Sequence, residues 1–487
     1  MSTDKVNINA KTIMHYAIMM AIMGIFYVIP GFGGGIVTPY GMKIVGVFIA
    51  LVYGWTFIGM LVPSLIGVFG IALAGVDTTQ QVFMNTFYNA NILMMIIGSL
   101  GFASLAQTNA SDWVFGKILS TNFAKKSGIL TVFCIFSIIL ILGALGMGIL
   151  IQFVLFPIMN DFLKKCGYEK GEKFSNMFLL GFLMSSVISI GIFPFYSWGL
   201  MICGSLMSIS GYAIPLGTYM LLSILIYVIF LVTYPLLMKV MGCDFSKLQN
   251  VNVLEVFNVD ANTKLNTAQK LSLGGLLLFL ALVMIGSFVQ VPIVQSIYGK
   301  IGVLGLMLVY WIAMVIIKID GKPLLNMRQA SADMSWDLCI LMAVALVLSS
   351  ALTSAESGMG TWLAMMISPI VMGVGQVAFI AILAIILIVL TNLANNIAVV
   401  FILINIVGAL YTNGLPINML ATSLVLAIGS CAVAYFTPAS SLPGAILHGA
   451  EMTETKGLYV INWIVAVYEF VLLMVVLIPV VLLGIGM

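Results

Sequence analysis

Charge is scarce in this chain, with Asp, Glu, Lys and Arg making up 7% of its 487 residues against about 25% in an ordinary soluble domain. Hydrophobic residues make up 62%, more than a water-facing surface of so few charges can cover, and a soluble fold is excluded. There is one arginine, Arg328, in a polar stretch, so no guanidinium is available to clamp an anion at mid-membrane. With only His15 and His448, no HExxH zinc pair exists, and no GxSxG elbow or phosphate loop accompanies them. An enzyme or an ATP-driven pump needs such a constellation, and neither is expected. The six cysteines, Cys134, Cys166, Cys203, Cys243, Cys339 and Cys431, show no metal-site spacing and are expected to pack as ordinary thiols. The net charge of +3 says little about partners, because basic flanks are usual beside membrane helices, and no nucleic-acid binding is expected.

What is there in abundance is apolar sequence in blocks. Ile13 to Pro30, Leu271 to Val289, Val303 to Ile317 and Tyr459 to Met487 are clear examples. A hydrocarbon core of about 30 Å takes roughly 20 helical residues. In lipid every backbone polar group must be satisfied internally, so spans are helices or closed barrels. A barrel would show strands of alternating polarity, and none is present. About ten to twelve crossings or half-crossings are expected. The N-terminal MSTDKVNINAK enters the first apolar run without a small-residue cleavage site, which reads as a retained first helix.

The polar stretch Cys243 to Gln269 divides the chain, and the two sides resemble each other. Ile92 to Ile118 and Leu338 to Ile367 are each an apolar run, a polar turn with one acid (Asp112 or Glu356), and a Trp leading into a second apolar run. Trp113 and Trp362 are 249 positions apart (362 − 113). Next, long apolar stretches are interrupted at Gly143 to Gly148 and at Thr391 to Asn396, 248 apart (391 − 143). A third pair follows, FPFYSW at Phe193 to Trp198 and TPASSLPG at Thr437 to Gly444. Lysines crowd the flanks of the first interruption (Lys117, Lys125, Lys126, Lys164, Lys165, Lys170, Lys173) and are missing from the matching flanks of the second. That asymmetry suits halves inserted in opposite senses.

The expected fold is therefore all-α: a polytopic membrane protein with two inverted repeats, each holding a re-entrant hairpin and a broken transmembrane helix. Residues 1–90 read as scaffold helices, 91–242 as the first repeat, 243–270 as a polar linker, 271–336 as further scaffold, and 337–487 as the second repeat. A broken helix frees carbonyls and N–H groups, tolerated only against protein or a wet cavity, where they can hold ions.

The second half resembles the divalent-anion:sodium symporters, carriers of dicarboxylates, citrate and sulfate in the ion-transporter superfamily. VLTNLANNIAVVFILI (Val389 to Ile404) is similar to that family's Ser-Asn-Thr signature, with Ala394, Asn395 and Asn396 at its three positions. FTPASSLPGAILHG (Phe436 to Gly449) is similar to the Thr-Pro-Pro-Asn segment, with Ser441, Leu442, Pro443 and Gly444 in place. Only Asn395 and Pro443 are identical. The first-half signature falls near Met147, Gly148 and Ile149, which bring no side-chain oxygen; Gln152 is the nearest polar side chain. The resemblance implies a cell-membrane symporter, a homodimer, that moves small di- or tricarboxylate anions on sodium ions, with no other cofactor. Proton coupling, exchange, or cation/proton antiport are the alternatives.

The expected substrate site comprises Thr391, Asn392, Asn395, Asn396 and Ser441, with Thr108 and Asn109 from the first hairpin turn. The expected sodium ligands are Asn395, Thr437, Ser440 and Ser441. Amides offer donors and acceptors to a carboxylate or a cation, while interhelical bonding is the plainer role for Asn in a membrane helix. For Thr437, Ser440 and Ser441, flanked by Pro438 and Pro443, the plainer role is to brace a kink. Asp112 and Glu356 are either membrane acids that handle ions or solvated groups in a wet vestibule. Glu469, in the last apolar run, is expected in a structural pair or at the lipid interface rather than in transport, and His448 and Glu451 at a helix end rather than in a proton relay.

Overall fold

The computed structural model describes residues 10–108, 113, 117–118, 120–143, 152, 155–195, 197–250, 264–334, 336–393, 396–433, 435–436 and 441–486. Among these, twenty α-helices follow one another. Four open the chain: α1 (Ala10–Val28), α2 (Pro39–Phe57), α3 (Leu61–Ala74) and α4 (Thr79–Phe87). The first series is α5 (Ala90–Gln107), α6 (Asn122–Lys125), α7 (Gly128–Leu142), α8 (Phe156–Lys165), α9 (Lys173–Gly191), α10 (Ser197–Ser210) and α11 (Leu216–Val240). After α12 (Thr267–Phe288) and α13 (Pro292–Ile316), a small hairpin, β1 (Lys318–Ile319) with β2 (Lys322–Pro323), leads to α14 (Met327–Ala332). The second series is α15 (Trp336–Thr353), α16 (Met359–Leu393), α17 (Asn396–Thr412), α18 (Met419–Leu424) running into a π-helical turn at Val425–Gly429, α19 (Leu442–His448) and α20 (Thr455–Leu482). The offset noted in sequence carries through: α15 begins 246 residues after α5 (336 − 90), α18 begins 246 after α9 (419 − 173), and α19 begins 245 after α10 (442 − 197).

Local chemistry sets the ends. Thr38 caps α2 by accepting the Gly41 N–H at 3.0 Å, and Pro39 follows at the first helical position, where a missing N–H costs nothing. Asn266 and Gln269 close a reciprocal capping box at the start of α12, so the polar linker, much of which lies outside the described residues, is already helical at Thr267. Within α16, Gly375 takes φ 72° and ψ 168°, so the hairpin's second arm and the following span are two helices meeting at a glycine. The strand pair is a departure from an all-helical expectation; Asp320 and Gly321, both at positive φ, make its tight turn.

Nine helices among the described residues are long and apolar enough to cross a membrane, and five shorter apolar ones accompany them. Their burial separates roles. The helix Lys173–Gly191 is 94% buried and is the axis of the protein, whereas the window Lys11–Val28 is 11% buried and presents its apolar surface outward to lipid.

All six cysteines are buried and free. Cys166 and Cys243 lie outside the spans, and burial pushes both thiols up to about 12, so they are not the ordinary thiols expected from sequence. The thiolate is the reactive form. A water-soluble maleimide at pH 8 is therefore expected to leave the native protein unlabelled and to label six thiols after denaturation in detergent. Rapid native labelling of either residue would contradict this burial.

Candidate functional site

The second break is built around Ser430. Thr391, fully buried, turns its hydroxyl back to the Leu387 carbonyl at 2.7 Å. Asn392, one position on, donates to the Ile388 carbonyl at 2.7 Å and accepts the Phe436 N–H at 3.3 Å. It thereby staples the end of α16 to the segment that precedes α19. Asn396 opens α17, and its amide nitrogen donates to the Ser430 carbonyl. Its amide oxygen is buried without a partner among the described residues. The Ser430 hydroxyl in turn accepts the indole N–H of Trp198 at 2.8 Å. Trp198 closes the first half's FPFYSW element and Asn396 the second half's TNLANN element, so one element from each half meets at this serine. Ser430 was not singled out from sequence, where one Ser after a glycine carries no distinguishing signal.

The structure thus ties Asn392 to Phe436 and Asn396 to Ser430, while Thr391 bonds back within its own helix. Ser441, half-buried, caps α19, its hydroxyl accepting the Gly444 N–H at 3.2 Å. Asn109, Asn395, Thr437 and Ser440 lie outside the described residues, as do Asp112, Met147, Gly148 and Ile149. Tyr435 adopts φ 52°, a left-handed conformation strained for a bulky residue, and its carbonyl accepts from His448 Nε2 at 2.8 Å and Asn462 Nδ2 at 3.1 Å. His448 ends α19, in keeping with a helix-end position.

The first break is richer in oxygen than its own sequence suggests. Gly143, at the end of α7, lies so close to α9 that a Cβ there would overlap the Ser189 hydroxyl. Gln152 is buried and donates to the Ser186 hydroxyl at 3.3 Å. Ser185 bonds to the Tyr227 hydroxyl and donates to the Phe136 carbonyl at 3.2 Å. Ser185, Ser186 and Ser189 of α9 thus meet Phe136, Gln152 and Gly143 respectively. Their signal was available as Ser185, Ser186 and Ser189 clustered in an apolar helix, but nothing local ties them to residues forty positions earlier.

Two sites stand apart from this region. Thr108 bonds only within its own helix, to the Ser104 and Leu105 carbonyls, and lines a cleft of about 780 Å³ with Asn266, Asp320, Lys322, Asn326 and Gln329. Among the described residues, that cleft includes none of those at the second break. Glu356 is exposed at the tip of the second hairpin, where its carbonyl accepts the Thr38 hydroxyl at 2.7 Å. This is a solvated turn held by the loop before α2.

The largest correction concerns Glu469. It is neither exposed to lipid nor paired: it is 0% exposed, both carboxylate oxygens lack a hydrogen-bond partner, and it joins none of the ion pairs among the described residues.

No protein-family model and no curated protein sequence matches this chain. A solved structure does share its architecture. The crystal structure of the YdaH transporter of Alcanivorax borkumensis, described as having an unusual topology, is similar with a TM-score of 0.57 and 14% identity over 92% of this chain and 99% of that one. The chain shares the fold of that protein. At so low an identity the likeness speaks for the fold and leaves substrate and coupling to the residues themselves.

Proposed function

We propose that this protein is a secondary carrier of the cell membrane that moves small di- or tricarboxylate anions by alternating access, coupled to a cation gradient, with sodium the first candidate. The observation that carries this reading is the convergence of broken elements from both halves on Ser430, beside the unpartnered amide oxygen of Asn396. A buried acceptor with no donor is suited to a hard cation, and freed backbone N–H groups beside it are suited to a carboxylate. The transporter fold supports transport rather than catalysis, and the resemblance of the Asn-rich break to the divalent-anion:sodium symporters supports the carboxylate. Opposed insertion of the halves and a homodimer belong to the same reading. Proton coupling or exchange is the second reading, favoured by the unpaired Glu469.

Uptake of labelled succinate and citrate into proteoliposomes, under sodium, lithium and proton gradients in turn, tests this. Accumulation of either under one gradient is expected, and no uptake or exchange under any of the three defeats the carrier reading. Within it, Asn395→Ala is expected to abolish transport while membrane insertion is retained; unchanged transport would remove Asn395 from the site.

A further inference from the structure

Glu469 is the fifteenth of 28 residues in α20 (469 − 455 + 1). A helix of that length spans about 42 Å, so its midpoint lies near the centre of the bilayer. Among the buried residues of α20, Leu458, Asn462, Val465, Glu469, Leu473 and Val476 form a stripe at helical spacing that faces the protein. Leu473, one turn beyond Glu469, lies within reach of Gly429 in the π-helical turn, beside Leu387 of α16. The carboxyl therefore points between the π turn and the helix that leads to the Asn-rich break. Ten buried side-chain polar atoms among the described residues lack a partner, and five of them belong to Tyr435, His448, Asn462 and Glu469. Such a concentration of unsatisfied groups marks a place built for something besides packing.

The surroundings of Glu469 hold no cation to neutralise it. α20 packs against α16, α11, α9, α18 and the π turn. Past Gly375, α16 offers no titratable side chain, nor does α18 or the π turn. From α9 the single charge is Lys173, at its far end, and Lys239 closes α11. The Tyr219, Tyr227 and Tyr234 hydroxyls of α11 bond to the carbonyls of Gly191, of Phe136 and of Met177. On α20 itself Tyr468 is bonded to Thr233. Cys431 and Tyr435, near enough for electrostatic interaction with Glu469, are neutral groups at pH 7. His448 reaches the same segment but spends Nε2 on the Tyr435 carbonyl. An ionised carboxylate here would be a buried, uncompensated charge, whereas a neutral carboxylic acid is tolerated.

We propose that Glu469 is a proton-binding site, and that it supplies the coupling in the second, proton-coupled form of the carrier reading. It holds a proton in the conformation described here. When water reaches Glu469 from one side of the membrane, the O–H bond breaks, the proton leaves to water and the carboxylate remains. Reclosure requires that a proton be bound again, from whichever side the site then faces. Coupling rests on the carrier reading; the protonated carboxyl does not.

Infrared spectra of the full-length protein in lipid at neutral pH separate the two. The wild type is expected to show a protonated-carboxyl C=O band that is absent in Glu469→Gln and shifted in Glu469→Asp. No such band in the wild type, or one unaltered in both variants, overturns the site whatever the protein carries. In proteoliposomes, Glu469→Gln is expected to lose uphill succinate or citrate accumulation on a pH gradient while keeping exchange of labelled for unlabelled substrate, a split that a merely structural residue would not produce. Uphill accumulation by that variant overturns coupling through Glu469. If the wild type moves neither anion, the carboxylate reading fails and the infrared result still decides the proton site.

Discussion

Replacing Asn396 with alanine is expected to lower succinate or citrate uptake by about 5- to 150-fold, the factor equivalent to 1–3 kcal/mol for a buried polar group left without its partner. The substitution removes the donor to the Ser430 carbonyl and the unpartnered acceptor together. Asn396 stands at the first position of α17, so no helical bond is lost with the side chain. Folding should be spared and binding should not. Asn392→Ala is the contrasting variant, since it cuts the staple to Phe436 and should lower stability as well as transport. Initial rates at graded substrate concentration, read beside the detergent-solubilised melting curve, distinguish the two. Uptake by Asn396→Ala within about twofold of the wild type, less than a single neutral hydrogen bond is worth, would place the site elsewhere.

Gly358→Ala is expected to destabilise the protein by about 2–4 kcal/mol, from left-handed strain plus displacement of a packed loop. Gly358 has φ 67°, and a Cβ on it would overlap the Ile36 carbonyl. The loop it abuts is held by the Thr38 N–H on the Ser357 carbonyl at 3.2 Å and by an edge-to-face contact of Phe32 with Trp362, ring centroids 4.9 Å apart. Gly41 is equally close to Ser357. One methyl group at 358 should therefore unseat the hairpin tip from the loop before α2. A melting temperature within about 1 °C of the wild type, less than 1 kcal/mol is worth for a domain of a few hundred residues, would show that the tip is not anchored there.

Much of the fold was legible because hydropathy is additive along a helix. The blocks at Ile13, Leu271, Val303 and Tyr459 became α1, α12, α13 and α20. The candidate site was legible only in its second half, where Asn392 and Asn396 stand out against an apolar background. Its first-half counterpart, Met147 to Ile149, lies outside the described residues; beside it Gln152 meets Ser186 and Gly143 meets Ser189, both on another helix. Thr108 was grouped with the second break by analogy between hairpin turns, yet its cleft is made by the segment around Asp320 and Asn326.

By itself the sequence determined that this is a many-helix membrane protein with repeat-related breaks, since span length, charge scarcity and the spacing of interruptions are properties of contiguous residues. Only the tertiary structure decided that Trp198 and Asn396 meet at Ser430, that the loop before α2 holds the second hairpin, and that Glu469 stands at mid-helix with no partner. Whether a buried polar atom is satisfied depends on what another helix, hundreds of residues away, brings within about 3 Å of it, and no local pattern records that distance.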